Sequence, residues 1–137
     1  MPVLARIRFL GKDLEPSVVT DALGLPPTRS HRKGDAMPRY PERTRPRGSW
    51  GLDSELPETA TVEEHVAHLL DRIGASAPAI RRIVEDGAVG ELYVSYFVPP
   101  GSATVLLHPD VLGRLNSLGL TLLLAIYCEE ASDNDSP

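Results

Sequence analysis

Residues 3–9, VLARIRF, alternate: Val3, Ala5, Ile7 and Phe9 fall on one face, Leu4, Arg6 and Arg8 on the other. A period of two predicts a half-buried strand. In GKDLEPSVVTDALGLPP (11–27), Asp13 is the expected cap of a short helix and Pro16 suits its first turn. Val18, Val19, Ala22 and Leu23 supply its apolar side. Gly24 is the natural left-handed residue after the helix, and Pro26-Pro27 forbid its continuation.

Thr61-Val62-Glu63-Glu64 spells a capping box, and Val62, Val66, Leu69, Leu70 and Ile73 recur behind it at helical spacing. Gly74 ends that helix. Ser76-Ala77-Pro78 starts another, with Ile80, Ile83 and Val84 inward and Gly87 closing it. ELYVSYFV (91–98) has strand composition, and Pro99-Pro100-Gly101-Ser102 a type II turn signature. With ATVLLH behind them, 91–107 read as a hairpin. Pro109 opens a helix with Val111, Leu112, Leu115 and Leu118 inward, and Gly119 caps it. LTLLLAIY (120–127) is apolar on both faces, which predicts a central strand.

Between these halves lies RSHRKGDAMPRYPERTRPRGSW (29–50), with Pro38, Pro41 and Pro46 and almost nothing apolar from Met37 to Trp50. That proline density rules out a helix or a packed strand. Short strands are expected near 30–35 and 48–54, with an exposed connection between them. The predicted order is β-α-β-β-α-α-β-β-α-β: one α+β domain over 1–128, a mostly antiparallel sheet and about four helices. EEASDNDSP (129–137) has nothing to bury and reads as an acidic disordered tail.

Several pieces together resemble a bacterial family of uncharacterised proteins, domain-of-unknown-function family 4279. They are the strand ending in Phe9, DLEP (13–16), LGLPPT (23–28), KGD (33–35), GSW (48–50), the amphipathic helix, and LNSLGLTLLLAIY (115–127). The likeness spans roughly residues 7–127, and KGD followed by a tryptophan is its most specific part. It implies a compact single domain and brings no reaction, cofactor or catalytic residue. Within it, the stretch between Asp35 and Gly48 looks like a variable insert.

Composition narrows the functional classes. The 137 residues carry a net charge of −5. Seven bases in 29–50 against Asp35 and Glu42 give that segment +5, so the remainder sums to −10. A general nucleic-acid binder is more often basic overall, so nucleic acid is disfavoured. An acidic body with one basic loop suits a local anion contact or electrostatic steering of a partner. The lone cysteine, Cys128, excludes an internal disulfide framework. With no signal-like N-terminus and no apolar run of membrane-spanning length, the expected setting is soluble and cytoplasmic.

No linear motif supplies a catalytic centre. His65 and His68 in VEEHVAHLLD are three apart and lack the HExxH pattern, so the polar residues there read as a solvated helix face. Cys128 stands beside Glu129 and Glu130, which disfavour a thiolate. His108, before Pro109, fits a cap or hairpin-end role. No catalytic residue, metal or cofactor is assigned. The candidate binding residues are Arg29, Arg32, Lys33, Asp35, Arg43, Arg45, Arg47 and Trp50, with Trp50 weighed against a core position. The functional expectation is a non-catalytic binding or protein-interaction module, immunity-protein-like or accessory, whose partner is another protein or an anionic ligand. The alternatives are nucleic-acid or other anion binding through 29–50, and an enzyme whose site no linear motif reveals. The ligand and the oligomeric state stay open.

Overall fold

The computed structural model describes residues 2–128. The alternating first segment is β1 (Val3–Gly11), followed by α1 (Pro16–Leu23) and β2 (Arg29–His31). A two-stranded excursion comes next, β3 (Ala36–Met37) and β4 (Tyr40–Thr44), then β5 (Gly48–Asp53). The second half runs α2 (Val62–Ile73), a 3₁₀ turn (Gly74–Ser76), α3 (Ala77–Glu85), β6 (Val89–Val98), α4 (Pro109–Ser117) and β7 (Thr121–Cys128). The order of the main sheet is β2-β5-β1-β6-β7. All its pairs are antiparallel except β6–β7, which are joined through α4 and run parallel.

Register sorts the side chains into two faces. Phe9 pairs with Trp50 and with Gly90, and Ile7 with Leu52 and Leu92. These residues form one core with Val19, Val66, Leu69, Leu70, Ile73, Ile80 and Leu115 of the four helices. Burial of that face is the main stabilising term of the fold. The opposite face carries Leu4, Arg6 and Arg8 of β1 beside Ser49, Gly51 and Asp53 of β5. Its β6 and β7 positions are Glu91, Tyr93, Ser95 and Phe97 beside Thr121, Leu123, Ala125 and Tyr127. No helix covers it. The result is a single α+β domain in two layers, with one sheet face open.

Local details match and correct the sequence pattern. The capping box of α2 is present: the Glu64 amide donates to Thr61 Oγ1 and the Thr61 amide to Glu64 Oε1, both at 3.1 Å. Gly24 takes φ 66° after α1, but the cap of α1 is Glu15 and not Asp13. Val18 and Leu112 point outward, because α1 and α4 each lean on the sheet through a narrower stripe than the pattern suggested. Gly74 does not stop the chain; at φ −61° it carries α2 into the 3₁₀ turn. His65 is buried on α2 and its Nδ1 lies 2.8 Å from Ser54 Oγ, so the polar helix face begins beyond it.

Two larger expectations fail. The 91–107 hairpin is absent: ATVLLH is irregular, because β1 and β7 already occupy both edges of β6. Val105 and Leu107 rest on the core instead, and His108 reaches Glu63 of α2 through its backbone amide and its Nδ1. β7 is an edge strand rather than a central one, with Leu123, Ile126 and Tyr127 exposed. Cys128, at its end, is exposed. The sequence 129–137, expected to be disordered, lies outside the described residues.

Candidate anion-binding cleft

The motif pieces that identify the chain turn out to touch one another. In KGD, Gly34 adopts φ 92° and the Asp35 carboxylate accepts the Arg32 amide at 2.8 Å, forming a tight turn. Two backbone bonds tie that turn to the returning strand at Arg45: Gly34 N to Arg45 O at 2.8 Å and Arg45 N to Asp35 O at 2.7 Å. From the other side the turn docks on DLEP. Arg32 Nε donates to Glu15 at 2.9 Å, and Lys33 Nζ lies 3.7 Å from Asp13. In GSW, Gly48 lies against the Leu14 carbonyl, where a Cβ would come within 2.0 Å of the oxygen. Trp50 is fully buried on Phe9 and donates its indole N–H to Thr20 Oγ1 at 3.0 Å.

This joint folds the basic excursion over the open sheet face and encloses a cleft of about 800 Å³. Its walls carry Arg6 and Arg8 of β1, Arg29 and His31 of β2, and Arg45 and Arg47 of the returning arm. Gly51 forms part of the floor. A Cβ there would stand 2.9 Å from Arg6 Cδ and 3.6 Å from Arg29 Cγ, so its lack of a side chain lets the two arginine stems lie side by side.

The charges are only partly matched. Asp53 accepts from Arg6 and lies 3.6 Å from Arg29. Glu91, buried beside β1, accepts from Arg8, whose guanidinium also lies 4.4 Å from the centre of the Tyr93 ring. Arg45 and Arg47 have no carboxylate partner among the described residues. Two polar atoms of the lining, Arg45 Nε and His31 Nδ1, are shielded from solvent and have no hydrogen-bond partner among the described residues. Buried polar atoms are ordinarily paired, and these two share their state with His65 Nε2 and His68 Nε2 on α2; what sets them apart is that both line the arginine cleft. Burial holds the His31 imidazole below the usual histidine range, and the Arg45 charge pushes the same way.

The residues singled out in the sequence therefore divide. Arg29, Asp35, Arg45 and Arg47 line the cleft. Arg32 and Lys33 are engaged in the joint to DLEP, Arg43 stacks on Tyr40 at 5.1 Å, and Trp50 belongs to the core. Arg6, Arg8, His31 and Gly51 were missed. Their signal was the polar half of the β1 alternation, Arg6 and Arg8, which points away from the core. Ser30 and Ser49 also line the cleft. No group of three His, Cys, Asp or Glu among the described residues is placed to hold a metal.

An α+β domain with a guanidinium-lined cleft on an open sheet face is the class this geometry defines. The chain belongs to the family described as Domain of unknown function (DUF4279), whose pattern it matches over residues 2–129. No curated protein and no solved structure matches it.

Proposed function

We propose that the protein is a binding module whose cleft takes a ligand carrying several phosphate or carboxylate groups. The observation that carries this reading is the pair Arg45 and Arg47, cations without carboxylate partners that share one cleft with Arg6, Arg8, Arg29 and the orphaned His31 Nδ1. Guanidinium forks recognise planar carboxylate and tetrahedral phosphate with paired, charge-assisted hydrogen bonds. The acidic remainder of the molecule repels polyanions elsewhere and so confines them to this face. The ligand belongs to a small polyanion or to an acidic segment of another protein, in keeping with an immunity-like or accessory role in a bacterial cytoplasm. No helix among the described residues is long and apolar enough to cross a membrane.

A second reading has its own support. Tyr93 lies under the Arg8 guanidinium, and Phe97 and Tyr127 stack farther along the same open face, a combination of aromatic and cationic groups that suits stacking and phosphate contact with single-stranded nucleic acid. Calorimetric titration at low salt with inorganic pyrophosphate, an oligoglutamate peptide and mixed-sequence single-stranded DNA separates these sources. Binding of any of them, lost on Arg45→Ala/Arg47→Ala, supports the cleft, and tightest binding of DNA favours the second reading. No binding by all three disposes of both.

A further inference from the structure

Among the described residues, β7 leaves one edge of the sheet without a partner and carries none of the usual protections of an edge. TLLLAIYC has eight residues with no charge, no proline and no bulge against β6. An edge strand of that length offers a row of unpaired backbone N–H and C=O groups, which folded proteins normally guard with lysine, proline or a short strand. The opposite edge obeys the rule, since β2 is three residues long and carries Arg29 and His31. Around β7 the exposed side chains are apolar: Leu123, Ile126 at 53% and Tyr127 at 48% exposure, with Phe97 stacked on Tyr127 at 4.9 Å.

We infer that β7 pairs with β7 of a second copy, antiparallel about a two-fold axis, so that two five-stranded sheets join into one. A strand without charge is complementary to itself, and symmetric pairing sets no like charges opposite each other. Register follows from the faces. An axis perpendicular to the sheet keeps both helical layers on the same side and requires partners of equal parity along β7. Centred on Ala125, it sets Leu124 against Ile126 of the second copy on the helix side. On the open side it sets Leu123 against Tyr127 of the second copy, and Ala125 meets its own counterpart at the axis.

The arginine cleft, on β2, β5 and β1, lies away from this edge and stays accessible in the dimer.

Sedimentation at micromolar concentration tests the pairing on the full chain. The wild type is expected at about twice 14.9 kDa. Ile126→Lys, which restores the guarding charge, is expected as a folded monomer with unchanged circular dichroism. A wild-type monomer at every concentration, or an Ile126→Lys dimer, overturns the proposal. Should Ile126→Lys not fold, Tyr127→Lys on the open side is judged by the same two outcomes. The register has an independent test. Under oxidation, Ala125→Cys in a Cys128→Ser background is expected to cross-link two copies, since paired Cα atoms about 4.5–5.5 Å apart suit a disulfide. The wild type's Cys128, set against Leu122, is expected not to cross-link. Failure of Ala125→Cys to form the linked dimer removes the Ala125-centred pairing.

Discussion

Replacing Arg8 by Leu tests how the floor of the cleft is held. The Glu91 side chain is 8% exposed and accepts from Arg8, whose own side chain is 26% exposed. Taking the arginine away leaves a carboxylate on the sheet with no counter-charge. Breaking such a pair by removing one partner costs about 3–5 kcal/mol when both ions are buried. Arg8 is a quarter exposed, so water reaches part of the site, and a figure of about 3 kcal/mol is expected, including up to about 1 kcal/mol from the contact with Tyr93. Glu91→Leu is the milder change. It frees a guanidinium that can turn to solvent, and should cost about 1 kcal/mol. The double variant Arg8→Leu/Glu91→Leu removes both charges together and should lie within about 1 kcal/mol of wild type. Urea unfolding followed through the single tryptophan, Trp50, reads all four proteins. At this chain length the Arg8→Leu loss corresponds to a melting temperature lower by roughly 10–15 °C. Equal losses for the two single variants, with an additive double, would refute the claim that this pair is what keeps Glu91 tolerable on the sheet.

Other expectations follow from the same geometry. Gly48→Ala drives a Cβ to 2.0 Å from the Leu14 carbonyl oxygen and should cost about 3 kcal/mol or more in urea unfolding, whereas Gly74→Ala, in open space and helical conformation, should stabilise by about 0.5–1 kcal/mol. Thr20→Val strands the buried Trp50 indole N–H and should cost about 1–3 kcal/mol by the same assay. His31 is held below its usual range by burial and then by Arg45, with Asp35 pulling the other way. An anion at Nδ1 favours the charged ring, so the bound state takes up a proton and affinity should rise as pH falls below about 6.5, a dependence that His31→Gln should flatten. Without ligand the sign reverses for stability. The unfolded chain binds protons at His31 and His65 before the folded chain does, so unfolding free energy should decline over that same fall in pH.

Much of the fold was legible because its signals are local. The β1 alternation, the α2 stripe with its capping box, and the glycine after α1 each rest on neighbours in sequence, and each is present. What escaped depends on who sits beside whom. ATVLLH has strand composition, but nothing in its own residues says that both edges of β6 are already taken. LTLLLAIY reads as central because apolar residues on both faces ordinarily mean burial on both; the same pattern also describes an edge left uncovered. The site was half visible for a similar reason. Arg29, Arg45 and Arg47 stand out by density within 29–50, while Arg6 and Arg8 look like the solvent side of a strand until β5 and the excursion are placed over them. KGD and GSW carried the family likeness without a reason, and the contacts supply it. One turns the chain onto DLEP and fixes Arg45; the other presses Gly48 against Leu14 and sends Trp50 into the core.

The central claim is that the arginine cleft binds polyanions, and amide spectra of the labelled protein titrated with pyrophosphate at low salt test it most directly. Arg45 and Arg47 should contribute about 1 kcal/mol each after solvent screening, so removing both weakens binding roughly 30-fold. Saturable shifts are expected at Arg29, His31, Arg45, Arg47, Ser49 and Gly51, weakened by salt and by Arg45→Ala/Arg47→Ala. Shifts absent at low salt, or gathered instead around Lys12 and Lys33, would contradict that claim.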